Sequence, residues 1–117
     1  MIRFSDSICV QVSLVPVDFR LGLNGLLALI EPVFHENPQA EYLFLFRDRT
    51  RKKIKAVYWD NEGFVLFYKR METTRFQFPK IINGEIQLNR LQLECLLSGM
   101  DFMKENALKP ASYMVYS

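Results

Sequence analysis

The run of positive charge at residues 47–55 is the stretch most able to carry chemistry. Six basic side chains and one acidic side chain occupy its nine positions. Like charges repel when folding brings them together, whereas a polyanion favours the cluster because each neutralised phosphate releases counterions. A second basic group follows at residues 69–75. Together the groups give nine candidate nucleic-acid-binding residues: Arg47, Arg49, Arg51, Lys52, Lys53, Lys55, Lys69, Arg70 and Arg75.

The two basic groups flank alternate turns of a predicted series of antiparallel strands. Alternate turns of such a meander lie at the same end of the sheet, so we expect one basic rim. The competing interpretation is a solvated hairpin loop whose Lys and Arg side chains protect a strand edge from aggregation. For unpaired nucleic acid, Trp59 and Tyr68 are the stacking candidates, although a covered sheet would also account for both rings.

Residues suited to catalysis or metal binding are sparse. His35 is the only histidine, and the sequence contains no CxxC motif and no glycine-rich phosphate loop. Asp18, Asp60 and Asp101 could supply three carboxylates to a two-metal nuclease, but only their number suggests it. Asp18 suits a helix N-cap and Asp60 suits a turn. The sequence therefore predicts a non-enzymatic protein with no metal and no cofactor.

The composition predicts a single globular domain. Of the 117 residues, 50% are hydrophobic, and the net charge is only +2. Residues 42–79 hold 10 of the 16 aromatic residues and nine basic against four acidic side chains, a local charge of +5. We assign residues 1–103 to one domain and residues 104–117 to a C-terminal tail.

The N-terminal sequence lacks the pattern of a signal peptide, and no apolar run approaches the ~20 residues that span a membrane. We therefore expect a cytoplasmic protein. In that compartment Cys9 and Cys95 are interpreted as reduced, buried thiols, with a disulfide or redox pair as the alternative.

Hydrophobic spacing predicts two helices and several strands. The first helix is capped by Asp18 and either kinks at Pro32 or ends near Glu31. The second begins with a capping box, in which Asn89 is the cap and Gln92 its partner. Strands are predicted at residues 8–15, 42–46, 54–59, 64–69, 75–82 and 86–88, with a hairpin turn at residues 83–84.

These elements predict an α+β fold, a mostly antiparallel meander sheet of about five to six strands with two helices packed on it. We expect both helices on one face, since that arrangement is the most economical. Aromatic residues occur on both strand parities, so the opposite face is either covered or presents aromatic surface to a partner.

The order and spacing of several short motifs resemble an accessory family of bacterial transposons. It is the second-open-reading-frame protein of the insertion-sequence-sixty-six group, often called TnpB, which is unrelated to the RNA-guided nuclease of that name. The resemblance spans residues 8–102, and Leu21, at a position that is usually basic in the family, is a departure from it. The motif residues are Asp18, Arg20, Gly22, Trp59, Asp60, Gly63, Tyr68, Phe76 and Pro79.

The resemblance implies a small non-catalytic protein that is encoded beside the transposase and assists movement of the element. It leaves the direct partner open. The charge pattern favours DNA, with the transposon ends as the expected target. The alternative is a protein adaptor that docks on the transposase of the same element without touching DNA.

Overall fold

The computed structural model describes residues 9–13, 15–78 and 85–100 of the chain. These residues form five strands and two helices. In chain order they are β1 (Cys9–Ser13), α1 (Leu23–Phe34), β2 (Tyr42–Arg47), β3 (Lys53–Trp59), β4 (Phe64–Arg70), β5 (Glu85–Leu88) and α2 (Arg90–Leu97).

The five strands make one mixed sheet in the order β4-β3-β2-β1-β5. Strands β2, β3 and β4 form the expected antiparallel meander. Strand β1, however, runs parallel to β2, with Val10 beside Leu43, and pairs antiparallel with β5 on its other side. The α+β class is confirmed. The antiparallel meander, however, comprises only three strands, because the crossover through α1 makes β2 run in the same direction as β1.

The helices cover opposite faces of the sheet, so the expectation of both helices on one face was wrong. Helix α1 packs against Phe44, Phe46 and Val57 through Leu26, Ile30 and Phe34. Helix α2 packs on the other face, in a cluster that includes Leu43, Leu45, Ile54 and Ala56. Because β2 is covered by a helix on each face, its residues must be apolar at both parities, which explains its continuous apolar run.

The β4 edge of the sheet is covered less completely than the centre. On the α1 side of β4, Leu66 is 37% exposed and Tyr68 is 49% exposed. Phe67 points to the other face and packs against the α2 cluster. Both faces are therefore covered at the centre of the sheet, while the edge strand shows apolar and aromatic surface on one side.

Helix α1 begins later than the sequence indicates. Its N-cap is Gly22, whose position provides no side-chain cap, so the assignment of Asp18 as the cap was wrong. The Asp18 carboxylate instead accepts hydrogen bonds from Arg20. At the other end the helix continues through Pro32 to Phe34, and His35 closes it in the left-handed conformation, donating its backbone N–H to the Glu31 carbonyl.

Helix α2 has the start that the sequence predicts. The Asn89 side chain accepts a hydrogen bond from the Gln92 backbone N–H, and the Gln92 side chain accepts one from the Asn89 backbone, which completes the capping box. After the helix, Gly99 adopts a φ of +85°, as suits glycine just past a helix end. The predicted hairpin at residues 83–84 and the tail at 104–117 lie outside the described residues.

The two cysteines differ in their surroundings. Cys9 is exposed and Cys95 is buried, and both are free thiols. Burial raises the pKa of the Cys95 thiol, with a smaller contribution in the same direction from Glu94. The expectation of two buried cysteines therefore holds for Cys95 and fails for Cys9, and the two thiols form no disulfide with each other in the structure.

Candidate nucleic-acid interface

The two basic groups predicted from the sequence meet at one end of the sheet. The β2–β3 loop, residues 48–52, lies against the segment that follows β4. Two backbone hydrogen bonds join them: Met71 N–H donates to the Lys52 carbonyl at 2.7 Å, and Phe76 N–H donates to the Arg51 carbonyl at 2.8 Å. The Phe76 side chain is only 1% exposed, so it anchors this segment in the core. We call residues 48–53 and 71–77 together the basic end.

Asp48 gives the β2–β3 loop its shape. Its carboxylate accepts hydrogen bonds from the Thr50 hydroxyl at 2.7 Å and from the Lys53 backbone N–H at 3.2 Å. These bonds, together with the nearby Lys53 charge, hold the pKa of Asp48 below its usual value even though burial acts in the opposite direction. Arg51 takes a φ of 63° and so makes the tight turn back into β3. The acid in the charge run therefore shapes the loop.

Four of the nine basic candidates are engaged within the fold. The Lys55 ammonium donates to the carbonyls of Phe19 and Leu21 at 3.0 and 2.8 Å. Lys69 donates to the carbonyl of Leu97 at 2.8 Å, at the C-terminal end of α2. The other two are Arg47, which bonds the Asp48 carbonyl and lies over the Phe78 ring, and Arg70, which pairs with Glu72.

Lys55 holds the chain that leads into α1. Its ammonium lies 5.1 Å from the Phe19 ring centroid and 5.6 Å from that of Tyr68, within the range of cation–π attraction. A charged donor thus satisfies two loop carbonyls beside two aromatic rings. Lys55 therefore stabilises the fold, and one face of the Tyr68 ring is in contact with its ammonium group.

The remaining five basic candidates all belong to the basic end. Among the described residues, their side chains form no hydrogen bond or salt bridge with one another or with an acid. They are Arg49, Arg51, Lys52, Lys53 and Arg75. The structure thus brings about half of the predicted set together at one end of the sheet.

A groove of about 660 Å³ lies on the α1 side of the basic end, and it is close to charge balance. Arg20, Arg49 and Lys53 line it together with Asp18 and Asp48. Asp18 and Arg20 form a pair with N–O distances down to 2.6 Å, and the Arg20 guanidinium lowers the pKa of Asp18 to about 2. This pair takes Arg20 out of the set of available cations.

Most of the motif residues serve the fold. The Asp60 carboxylate accepts backbone hydrogen bonds from Glu62 and Gly63 and so closes the β3–β4 turn. The left-handed residue in that turn is Asn61, with φ 80°. Trp59 packs on Phe64 at 4.9 Å between ring centroids. Pro79 lies outside the described residues.

The structure also identifies residues that the sequence interpretation missed. Phe19 contacts the Lys55 ammonium, and Thr73 and Thr74 line a concavity beside Arg75. Parity along β3 is the signal that could have indicated the role of Lys55. It shares a face with the buried Val57, so its stem had to run along the core toward α1.

The part of the chain that the structure describes contains no group of three or more His, Cys, Asp or Glu side chains that could hold a metal ion. In the same part, no helix is long and apolar enough to span a membrane. Asp18 and Asp60, two of the carboxylates considered for a nuclease, are engaged by Arg20 and by the β3–β4 turn. Asp101 lies outside the described residues.

Residues 9–107 match the family described as IS66 Orf2 like protein. Two relatives in Sinorhizobium fredii are similar along most of their length. The uncharacterized protein y4jC is 32% identical over 104 residues, covering 89% of each chain. The uncharacterized protein y4hO is 32% identical over 102 residues, covering 87% of this chain and 89% of the relative. No solved structure matches the chain significantly.

The chain therefore belongs to the IS66 Orf2-like family. Membership in this family implies an accessory role in transposition. The resemblance stated from the sequence motifs is confirmed.

Proposed function

We propose that this protein is a non-catalytic accessory factor of transposition that binds DNA through its basic end. The observation that carries the proposal is the separation of the basic residues into two sets. Four are engaged within the fold, and five lie on two adjacent loops and at the first residue of β3 without a described salt bridge. The expected target is the transposon ends, where the accessory factor would act beside the transposase.

The arrangement favours a polyanionic partner on physical grounds. Arg51, Lys52 and Arg75 are held near one another by hydrogen bonds between backbones, so folding itself brings like charges together. The repulsion within such a cluster is relieved when it binds DNA phosphates, and that binding also releases the counterions condensed on the DNA. Arginine also presents a planar fork of donors that matches the geometry of phosphate oxygens. Because the loops are already fixed, little ordering is required on binding.

DNA binding is tested with a variant that removes four charges from the basic end. This four-charge variant carries Arg49→Gln, Arg51→Asn, Lys52→Gln and Arg75→Gln. We expect the wild-type protein to bind a duplex from the element end at low salt, and the four-charge variant to bind it at least about a hundredfold more weakly. Fluorescence anisotropy measures both affinities, and circular dichroism checks that the variant is folded.

The control for charge alone removes two basic residues that are already paired with acids, Arg20 in the groove and Arg90 on α2. Arg20→Gln with Arg90→Gln lowers the net charge by two, and both residues are exposed and paired with acids. The proposal predicts that this control retains most of the affinity. Wild-type protein that fails to bind duplex DNA even at low salt would refute the proposal.

The edge strand favours a second candidate, a protein adaptor that docks on the transposase. Strand β4 lies at the end of the described sheet, and Leu66 and Tyr68 are exposed on it. Such an edge can accept an extra strand from a partner. We expect the transposase to co-purify after nuclease treatment and to be lost with Leu66→Lys if this candidate is correct. Association that disappears with nuclease would instead indicate a DNA bridge.

A further inference from the structure

A second concavity lies on the other side of the β2–β3 loop from the groove. It has a volume of about 550 Å³ and sits between the loop and the segment after β4. Its lining has no acidic side chain. We call it the cup, and the side chains that matter to it are Arg51, Lys52, Arg75, Thr73, Thr74 and Gln77.

The walls of the cup are fixed by the fold. The hydrogen bonds from Met71 to Lys52 and from Phe76 to Arg51 tie its two sides together through their backbones. Phe76 is also one of its lining residues, and its side chain is buried in the core. Three cations on separate positions of two tied segments therefore face one small volume.

The cup and the groove differ in their charge balance. The groove has three cations offset by Asp18 and Asp48, whereas the cup has three cations and no offsetting acid. Glu72, the acid nearest in sequence to Thr73, bonds Arg70 at 2.7 Å. The pKa of Arg47 is lowered, first by burial and second by the positive charge of Arg51, while Asp48 acts in the opposite direction.

We propose that the cup is a binding site for one phosphate group. Its donors suit a tetrahedral oxyanion: two guanidinium forks and an ammonium supply charge, while Thr73 and Thr74 supply neutral hydroxyl donors. The assignment of DNA as the natural source of the phosphate rests on the proposed function. The source is either an internal phosphodiester or a terminal phosphomonoester, and both present the same tetrahedral oxygens.

Inorganic phosphate tests the cup without DNA. Thermal unfolding is followed in sodium phosphate and in sodium chloride of equal ionic strength, for wild type, Arg51→Asn, Arg75→Gln and the control Arg49→Gln. Asparagine is chosen at position 51 because it tolerates the left-handed backbone there. Arg49 lies on the same loop but lines the groove, so its variant removes an equal charge outside the cup.

We expect phosphate to raise the unfolding midpoint of wild type and Arg49→Gln by a few degrees more than chloride does. The excess should be lost in Arg51→Asn and Arg75→Gln. General salting-out by phosphate acts on all four proteins equally and cancels in the comparison. If phosphate raises the unfolding midpoint of wild type no more than chloride does, or raises it equally in all four proteins, the proposal of a phosphate site in the cup is wrong.

Oligonucleotides then distinguish the two sources and separate this inference from the proposed function. If the cup takes a terminal phosphomonoester, a 5′-phosphorylated duplex should bind about tenfold more tightly than its 5′-hydroxyl form, and Arg75→Gln should abolish the difference. If it takes a phosphodiester, both forms should bind equally and Arg75→Gln should weaken both about tenfold.

The two failures have different signatures. Phosphate binding in the cup without any DNA affinity would overturn the proposed function and leave the cup standing. DNA binding by a wild-type protein that shows no phosphate-specific stabilisation, and whose affinity is unchanged by Arg51→Asn and Arg75→Gln, would overturn the cup and leave the proposed function standing.

Discussion

Lys55 on β3 and Lys69 on β4 come from the same charged stretch as the cations of the basic end but have different surroundings. Lys55 and Lys69 donate to backbone carbonyls of Leu21 and Leu97 at 2.8 Å. Arg51 and Arg75 line an acid-free concavity and form no salt bridge with a described residue. The two pairs differ in what surrounds them. Lys55 and Lys69 lie beside backbone carbonyls that need a donor, whereas Arg51 and Arg75 lie beside other cations.

The basic residues of one charge run therefore do not all belong to one candidate binding surface, because some of them bond backbone carbonyls within the fold. A lysine that satisfies buried carbonyls stabilises the fold, and removing it leaves those carbonyls without a partner. A cation surrounded by cations contributes little to folding and is available to an anion. Substitutions should therefore divide the nine residues into a group that affects stability and a group that affects binding.

The largest effect on stability is expected at Lys55. Lys55→Met keeps the apolar stem but removes the donor to the Phe19 and Leu21 carbonyls. The free energy of unfolding should fall by about 1.5–3 kcal/mol, since hydrogen bonds to charged groups contribute in that range. Urea unfolding measures it.

Lys53 supplies the matched control for Lys55. It lies two residues earlier on β3, on the same face, and its side chain forms no described hydrogen bond. Lys53→Met should change the free energy of unfolding by no more than about 0.5 kcal/mol. Equal effects at positions 53 and 55 would remove the basis for dividing the charge run.

A smaller effect is expected at Lys69. Its ammonium bonds one carbonyl at the end of α2, where the last turn of a helix leaves carbonyls without intrahelical partners. Lys69→Met should lower the free energy of unfolding by about 1 kcal/mol. Amide hydrogen exchange should increase in α2 more than in α1, and uniform loosening of both helices would contradict this local role.

Stability should be nearly unaffected by substitutions at the basic end. We expect Arg51→Asn and Arg75→Gln each to change the free energy of unfolding by less than about 0.5 kcal/mol. Asparagine suits the positive φ of position 51, and Arg75 is exposed without a described side-chain partner. A loss as large as that at Lys69 would show that these cations are structural after all.

The smallest effect concerns the Asp18–Arg20 pair and depends on pH. The pKa of Asp18 is lowered to about 2 in the folded protein, from an ordinary value of 3.8. The carboxylate therefore stabilises the fold above about pH 4, and this contribution is lost as the pH falls toward 2. The urea midpoints of wild type and Asp18→Asn should differ above pH 4 and converge below it. A difference that stays constant down to pH 2 would contradict the pairing.

Local features were predictable because they depend on neighbouring residues. The capping box of α2 needs only Asn89 and Gln92, and the β3–β4 turn needs only the residues from Asp60 to Gly63. The two basic groups share an end of the sheet because β2, β3 and β4 form a meander, which their short connections favour.

Non-local features were not predictable in the same way. The parallel pairing of β1 with β2 depends on how α1 packs, and no short motif encodes it. The placement of the helices on opposite faces did have a signal, since the run at residues 42–46 is apolar at both parities. The roles of Lys55 and Lys69 depend on carbonyls 34 and 28 residues away in the chain.

The most direct test of the account is the salt dependence of duplex DNA affinity. The slope of log K against log salt reports the number of phosphate contacts, at about 0.9 per contact. We predict a flatter slope for the four-charge variant, by about 2 to 3.5, and a slope near wild type for Arg20→Gln with Arg90→Gln. Equal slopes for wild type and the four-charge variant would contradict the assignment of the basic end as the DNA-binding surface.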